Sequence, residues 1–291
     1  MYKIDYKVDK TKNCVLVDSN DWLYSSSNLI REYRLSGKKV LSYVTKALEV
    51  NLLDDYEGLV KKGNTILLSR VVSEISQYKS HALIQDKKYY DVPIMQVLGV
   101  FESDLISFET LSLTTNKVLY KKEIIRKGIF QVSDSAATIG RIIKVGPDVA
   151  KVKETDLALF VDNVSTRITL NGEEYFVTDE TAIICLFQED GTLEQAKFLN
   201  EYILMTPYIP EKLSEHLWTP SMNYEDEDYT DIYKRDRFKV SYVDTNLTGI
   251  EKNDIIWIDR NVTMYAFFDG VQYFITRGKE HLEFKELQSE V

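Results

Sequence analysis

Three histidines, two cysteines and a dense acidic run are the residues of this chain with the chemistry to ligate a metal, attack a carbonyl or move a proton. His81, His216 and His281 stand far apart. None has a second His four residues away or a Cys at ligand spacing, so no zinc site is signalled. Cys14 and Cys185 each sit in a short apolar run. A single cysteine in that setting is expected to be a small buried hydrophobe, and no bridge between the two is expected. Glu225–Asp228 and Asp231 lack the alternating oxygen ligands and Gly turn of a calcium loop, so a solvated, self-repelling loop is expected there. The sequence holds no G-x-x-x-x-G-K-[ST] or G-x-G-x-x-G phosphate cradle and no G-x-S-x-G elbow. The expectation is a chain with no catalytic residue, no metal and no cofactor.

Binding is better signalled than catalysis. Three long segments without clear strand alternation, 18–39, 121–139 and 206–237, carry large apolar residues. Trp22, Leu23, Leu29 and Ile30 lie in the first. Ile124, Ile125, Ile129 and Phe130 lie in the second, and Leu217 and Trp218 in the third. Such residues in loops are either anchors for a partner or fold back on their own domain. Gly128-Ile129-Phe130 favours the anchor.

The elements that would position these loops recur three times. Each third opens with an apolar strand: Cys14–Val17, Lys117–Tyr120 and Tyr202–Met205. After the loop comes a short β run: Val40–Val44, Ile142–Gly146 and Phe238–Val243. A polar turn then leads into an apolar strand in LVKKGNTILLS (59–69), KVKETDLALFV (151–161) and GIEKNDIIWID (249–259). Asn64, Asp156 and Asp254 hold the same turn position, 92 and 98 residues apart. A Tyr and a closing apolar run follow, with Tyr89, Tyr175 and Tyr273 matched, and with Phe101, Phe187 and Phe284 matched. Internal repetition of this kind sets the fold before any local reading does. Aromatic and β-branched residues are plentiful, and Asn171-Gly172 and Asp269-Gly270 are hairpin pairs, so short strands should dominate. Little helix is expected. Asp21–Tyr33 and Thr192–Asn200 are the stretches with helical potential, the second as a connector. The predicted division is 1–101, 102–192 and 193–291, each a small β-barrel.

A net charge of −10 argues against generic nucleic-acid binding, which needs a basic face. No apolar run approaches the roughly 20 residues of a membrane span. The opening MYKIDYKVDKTKN has no apolar leader core, and a reducing cytoplasm is expected.

Residues 113–187 resemble the GroES (chaperonin-10) co-chaperonin family. The matching phrases are NKVLYKK (116–122), KGIFQ (127–131), GRIIKVGPD (140–148), VKETDLALF (152–160) and NGEEYFVTDETAIICLF (171–187). The first and last thirds look like diverged copies. The resemblance implies an all-β chain of three tandem GroES-like barrels. It implies a non-enzymatic chaperone that assists protein folding by capping a GroEL-type chaperonin. By position, Gly128, Ile129, Phe130 and Gln131 take the place of the family's mobile-loop anchor. Gln131 stands where a third apolar residue is expected, and a buried unpaired amide there would cost on the order of 1–3 kcal/mol. The roof hairpin looks shortened to Asp148–Lys151 in the middle third and to about Asp244–Thr248 in the last. The family's members usually form seven-membered rings, and seven is not a multiple of three. The alternative is therefore a structural assembly protein, such as a bacteriophage virion or ring component, that reuses the barrel. Either reading implies self-association into a ring or other oligomer.

Overall fold

The computed structural model describes residues 14–18, 43–51, 56, 58–69, 82–84, 87–103, 105–123, 137–188, 192–208, 235–259, 263–268, 270–279 and 282–285. The described chain is all-β. The first third contains β1 (Cys14–Asp18), β2 (Tyr43–Lys46), β3 (Glu49–Asn51), β4 (Thr65–Leu68), β5 (Ala82–Ile84), β6 (Lys87–Pro93), β7 (Val97–Phe101) and β8 (Leu111–Leu113). The second contains β9 (Lys117–Lys122), β10 (Ala137–Val145), β11 (Leu157–Val161), β12 (Thr166–Leu170), β13 (Glu173–Asp179), β14 (Ile183–Phe187) and β15 (Lys197–Phe198). The third contains β16 (Tyr202–Pro207), β17 (Arg235–Val243), β18 (Ile255–Asp259), β19 (Met264–Phe268), β20 (Val271–Arg277) and β21 (Leu282–Lys285).

Strand pairing repeats with the sequence. One sheet runs β12-β13-β9-β10-β11-β14-β15 and another β19-β20-β16-β17-β18-β21, the same order over six strands, with β15 added at the end of the first. The first third makes the same pairings in two four-stranded sheets, β3-β1-β6-β5 and β2-β4-β7-β8. They are separate because the second strand of that repeat is interrupted at Ala47 and Leu48, whereas β10 and β17 run unbroken for nine residues. The pairs are antiparallel, and among the described residues none of these sheets closes on itself.

Local geometry repeats as well. The turn before β4, β11 and β18 places Gly63, Thr155 and Asn253 at φ of 87°, 74° and 76°. Left-handed backbone suits Gly and Asn and is strained for a β-branched Thr. Their N–H groups donate to Ala47 O (2.7 Å), Ile142 O (2.8 Å) and Val240 O (2.8 Å), which aligns those three carbonyls. Asn64 Oδ1 accepts from Lys61 N and Asp254 Oδ2 from Glu251 N, both at 2.6 Å, which explains the Asn or Asp after the turn. A register shift falls at the same place in each third, between Leu67 and Leu68, Leu159 and Phe160, and Trp257 and Ile258. The hairpins β5–β6, β12–β13 and β19–β20 each have two-residue loops, and Asn171 and Gly172 take φ of 53° and 80°.

Three sequence expectations are corrected here. Thr192–Asn200 is not helical: Lys197–Phe198 pairs with β14 as β15, because Leu193, Phe198 and Leu199 are buried and packing overrides helix propensity. In the first third, the β run equivalent to Ile142 is reached at Ala47, so Val44 takes the register of Ile139; Val40–Ser42 lie outside the described residues. Phe284 pairs with Trp257 as Cys185 pairs with Leu159, so it occupies the Cys185 place and not that of Phe187.

Chain contacts define two compact units, residues 1–122 with 141–155 and 164–180, and residues 123–140 with 156–163 and 181–291. The division runs through the middle third. The connection from the first third to the second therefore lies inside one unit, and that from the second to the third inside the other.

The Gly of the GRIIKVGPD phrase has a packing reason. Gly146 N donates to Lys117 O (2.8 Å), and a Cβ there would strike the backbone oxygens of Thr115 and, at 2.8 Å, Thr114. Gly146→Ala is expected to lower stability by roughly 1–3 kcal/mol or more, since backbone cannot step aside. Urea unfolding of the two proteins checks this, and an unchanged midpoint contradicts it.

Candidate protein-binding surfaces

The three long loops fall in one connection of the repeat, that between its first and second strands. They are β1 to β2, β9 to β10 and β16 to β17. Two of the loop bases are pinned alike. Glu123 N donates to Ile139 O (3.0 Å), and Tyr208 N donates to Arg237 O (2.9 Å). The binding residues expected from sequence, Trp22, Leu23, Gly128, Ile129, Phe130, Gln131, Leu217 and Trp218, all lie in these connections and outside the described residues.

The described residues offer little to a reaction. No group of three or more His, Cys, Asp or Glu that could hold a metal ion occurs among them. Cys185 is a free thiol, fully buried, and burial pushes its pKa up, so it is held as an inert thiol. A shallow hollow is lined by Lys121, Lys122, Glu173, Glu174 and Phe176. Lys121 pairs with Glu173 at 2.7 Å and Lys122 lies 4.4 Å over the Phe176 ring, so its charges are met locally.

What sequence reasoning missed is a surface that the chain uses twice. In the first two repeats the central strands β4 and β11 bury both faces along their whole lengths. One face fills the repeat's own interior, as Val15, Ala47, Ile66, Leu68, Val92 and Val97 do in the first. The other meets the next repeat. In the first unit, Val44, Leu67, Leu98, Phe101 and Leu113 pack with Leu119, Ile168, Leu170, Tyr175 and Val177 of the following repeat. In the second unit, Ile139, Leu159, Ile184, Phe187 and Phe198 pack with Leu204, Ala266, Phe268 and Ile275, with Tyr273 against them. By strand register these are the same positions, taken one repeat later. We call the first set of each junction the outgoing face and the second the incoming face.

The hinge of each junction is repeated too. Lys117 N donates to Thr114 O and Tyr202 N to Leu199 O, both at 3.1 Å. Thr115 and Asn200 sit at φ of 44° and 56° in these turns. Polar partners lace both seams. Lys144 Nζ donates to Leu111 O (2.7 Å) and Phe108 O (3.0 Å), while its register counterpart Tyr242 stacks on Phe198 at 5.4 Å and donates to Glu194 Oε1 at 3.1 Å. Burial first, and that bond to Glu194 next, push the Tyr242 phenol up.

The third repeat breaks the pattern on its outgoing side. There β18 alternates, with Ile256 and Ile258 buried and Ile255, Trp257 and Asp259 only half-buried. The positions held by Ile139, Leu159 and Ile184 are taken by Arg237, Trp257 and Glu283. The Arg237 guanidinium lies 5.2 Å from the Trp257 ring and 5.1 Å from that of Tyr208.

No model of a known family and no curated protein matches the chain. No helix among the described residues is long and apolar enough to cross a membrane.

Proposed function

We propose that this chain is a non-enzymatic, protein-binding assembly protein of three tandem GroES-like barrels, and that it engages a GroEL-type chaperonin as a co-chaperonin. The contact is made by the connection between the first and second strands of each repeat, with Gly128-Ile129-Phe130-Gln131 the principal anchor and Trp22-Leu23 and Leu217-Trp218 its counterparts. The observation that carries this reading is placement. All three apolar loop clusters of the sequence fall in the same connection of a repeated unit. Loops borne on one scaffold act together, so modest affinity per loop is multiplied by valency. ATP hydrolysis belongs to the chaperonin, and the cytoplasm is the compartment where both partners meet.

A peptide of residues 121–139 should compete with the whole protein for the chaperonin. Displacement is the expected result. A peptide that leaves binding unchanged contradicts the loop assignment.

The repeated apolar junctions favour a second reading, a structural assembly protein such as a bacteriophage virion or ring component. Head-to-tail stacking of like units is a way to build an extended or closed wall. On that reading the protein self-associates and ignores the chaperonin.

A further inference from the structure

The tip of the β12–β13 hairpin is Asn171-Gly172, the one Asn-Gly pair of the chain. We propose that Asn171 is a site of self-modification: its amide is lost spontaneously to give aspartate and isoaspartate, and Glu109 of the preceding repeat sets the rate. The inference concerns the junction between the first two repeats and does not rest on chaperonin binding.

The pair has both the chemistry and the access. Asn171 and Gly172 are exposed, and a Cβ added at Gly172 would meet no heavy atom within 4 Å. A residue without a side chain leaves its backbone nitrogen open and its backbone free to turn. Gly172 N, having lost its proton to hydroxide, attacks Asn171 Cγ. The Cγ–Nδ2 bond breaks and ammonia leaves, taking a proton back from water. The five-membered succinimide that remains is opened by water at either carbonyl, giving aspartate or isoaspartate. No electrons change hands and water is the only co-reactant. The hairpin loops of the other repeats are Gln85-Asp86 and Asp269-Gly270, so only the middle one sets an amide beside a Gly.

The first repeat holds that amide. Asn171 Nδ2 donates to Glu109 Oε1 (3.2 Å) and Oε2 (3.1 Å). The turn that carries Glu109 is itself braced, since Glu102 N donates to Thr110 O (2.8 Å) and Thr110 Oγ1 donates to Leu105 O (2.6 Å). A backbone hydrogen bond at Glu109 first, and the Asn171 amide next, hold the Glu109 carboxyl below the usual carboxylate range. Ring closure swings Gly172 N towards Cγ, which the left-handed turn at Asn171 (φ of 53°) and the grip on Nδ2 both oppose. A carboxylate this near also disfavours the negative charge that develops during the attack.

The product acts on the junction. Ile168, Leu170, Tyr175 and Val177 of this hairpin form part of the incoming face, and Tyr175 stacks on Phe108 at 5.5 Å, beside Glu109. Isoaspartate adds a backbone carbon to a two-residue loop and disturbs the Leu170–Glu173 register that the loop fixes. Aspartate sets a second carboxylate against Glu109. Either product exchanges a contact between repeats for a repulsion, so a junction that opens long enough to lose the amide recloses less firmly.

Peptide mass spectrometry of the full chain, aged in mildly alkaline buffer, tests this. The expected result is a steady gain at Asn171 of the mass that separates an acid from its amide, with isoaspartate resolved by chromatography. Glu109→Ala is expected to speed that gain about three- to fivefold, the worth of an exposed contact to a charged group. Isomerisation at Asp269-Gly270 passes through the same succinimide and is the internal control, because a chain that loses its fold speeds up at both pairs. Its rate is expected to stay parental. The isoaspartate form, separated from fresh protein by ion exchange, is expected to unfold at a lower urea concentration. No gain at Asn171 in either protein overturns the proposal. So do equal rates in the two proteins, acceleration at both pairs, or an isoaspartate form as stable as the fresh chain. Loss of chaperonin binding leaves all these outcomes untouched, so the two readings fail separately.

Discussion

Replacing Ile129 and Phe130 together by Asp is expected to abolish binding to a GroEL-type chaperonin. Burying one large apolar side chain stabilises a contact by about 1.5–3 kcal/mol. Two such losses amount to at least a hundredfold in affinity at one loop. Placing a carboxylate in an apolar groove adds its own desolvation cost. Valency sharpens the effect, because several weak loops act as a product of affinities. The fold should survive, since residues 124–136 lie in a connection whose base is already closed by the Glu123–Ile139 hydrogen bond. Surface plasmon resonance on immobilised chaperonin with nucleotide reads the loss directly. Retention of near-parental affinity contradicts the anchor assignment. Trp22 and Leu23, changed in the same way, should give a smaller loss, because the first loop lacks the Gly-apolar-apolar phrase.

The second large effect is on stability. Leu204 is fully buried in the junction between the second and third repeats, among Leu159, Ile184 and Phe187. Leu204→Ala removes apolar contacts that both repeats share, and a loss of about 2–5 kcal/mol is expected. Leu119→Ala, its register counterpart one repeat earlier, should fall in the same range, because that leucine is also fully buried in the equivalent cluster. Leu105→Ala is the control: that side chain is 66% exposed and its loss should change stability by less than about 0.5 kcal/mol. Guanidinium unfolding compares the three. If the junctions were incidental, the Leu119 and Leu204 variants would behave like the control.

Much of the fold was legible because the residues that carry it are those with narrow backbone options. The Gly-Asn, Thr-Asp and Asn-Asp turns at 63–64, 155–156 and 253–254 mark the same left-handed turn three times, and Asn171-Gly172 marks its hairpin. Leu193–Leu199 misled because its helix formers are also good apolar packers, and the junction needed Phe198 extended. Phe284 misled because matching aromatics by spacing ignored the register of the closing strand.

The junction surface was not read from sequence, though a signal was present. LALFV is continuously apolar and buries both faces, while IIWID alternates in burial about the half-buried Trp257. A strand covered on both faces reads as an unbroken apolar run, and one covered on a single face alternates. That contrast separates the two repeats that receive a successor from the third, where the chain turns Arg237 and Trp257 outward from the repeat's own core. The candidate loops were legible as composition only: bulky apolar residues between a first and a second strand.

Binding to a chaperonin is the claim on which the functional account turns. The most direct test is size-exclusion chromatography with multi-angle light scattering of the purified protein, alone and mixed with a GroEL-type chaperonin and nucleotide. The account predicts a nucleotide-dependent complex whose mass exceeds that of the chaperonin by whole chains, and which the Ile129→Asp/Phe130→Asp variant fails to form. A protein that elutes at the same position and mass with and without the chaperonin, in every nucleotide state, contradicts it.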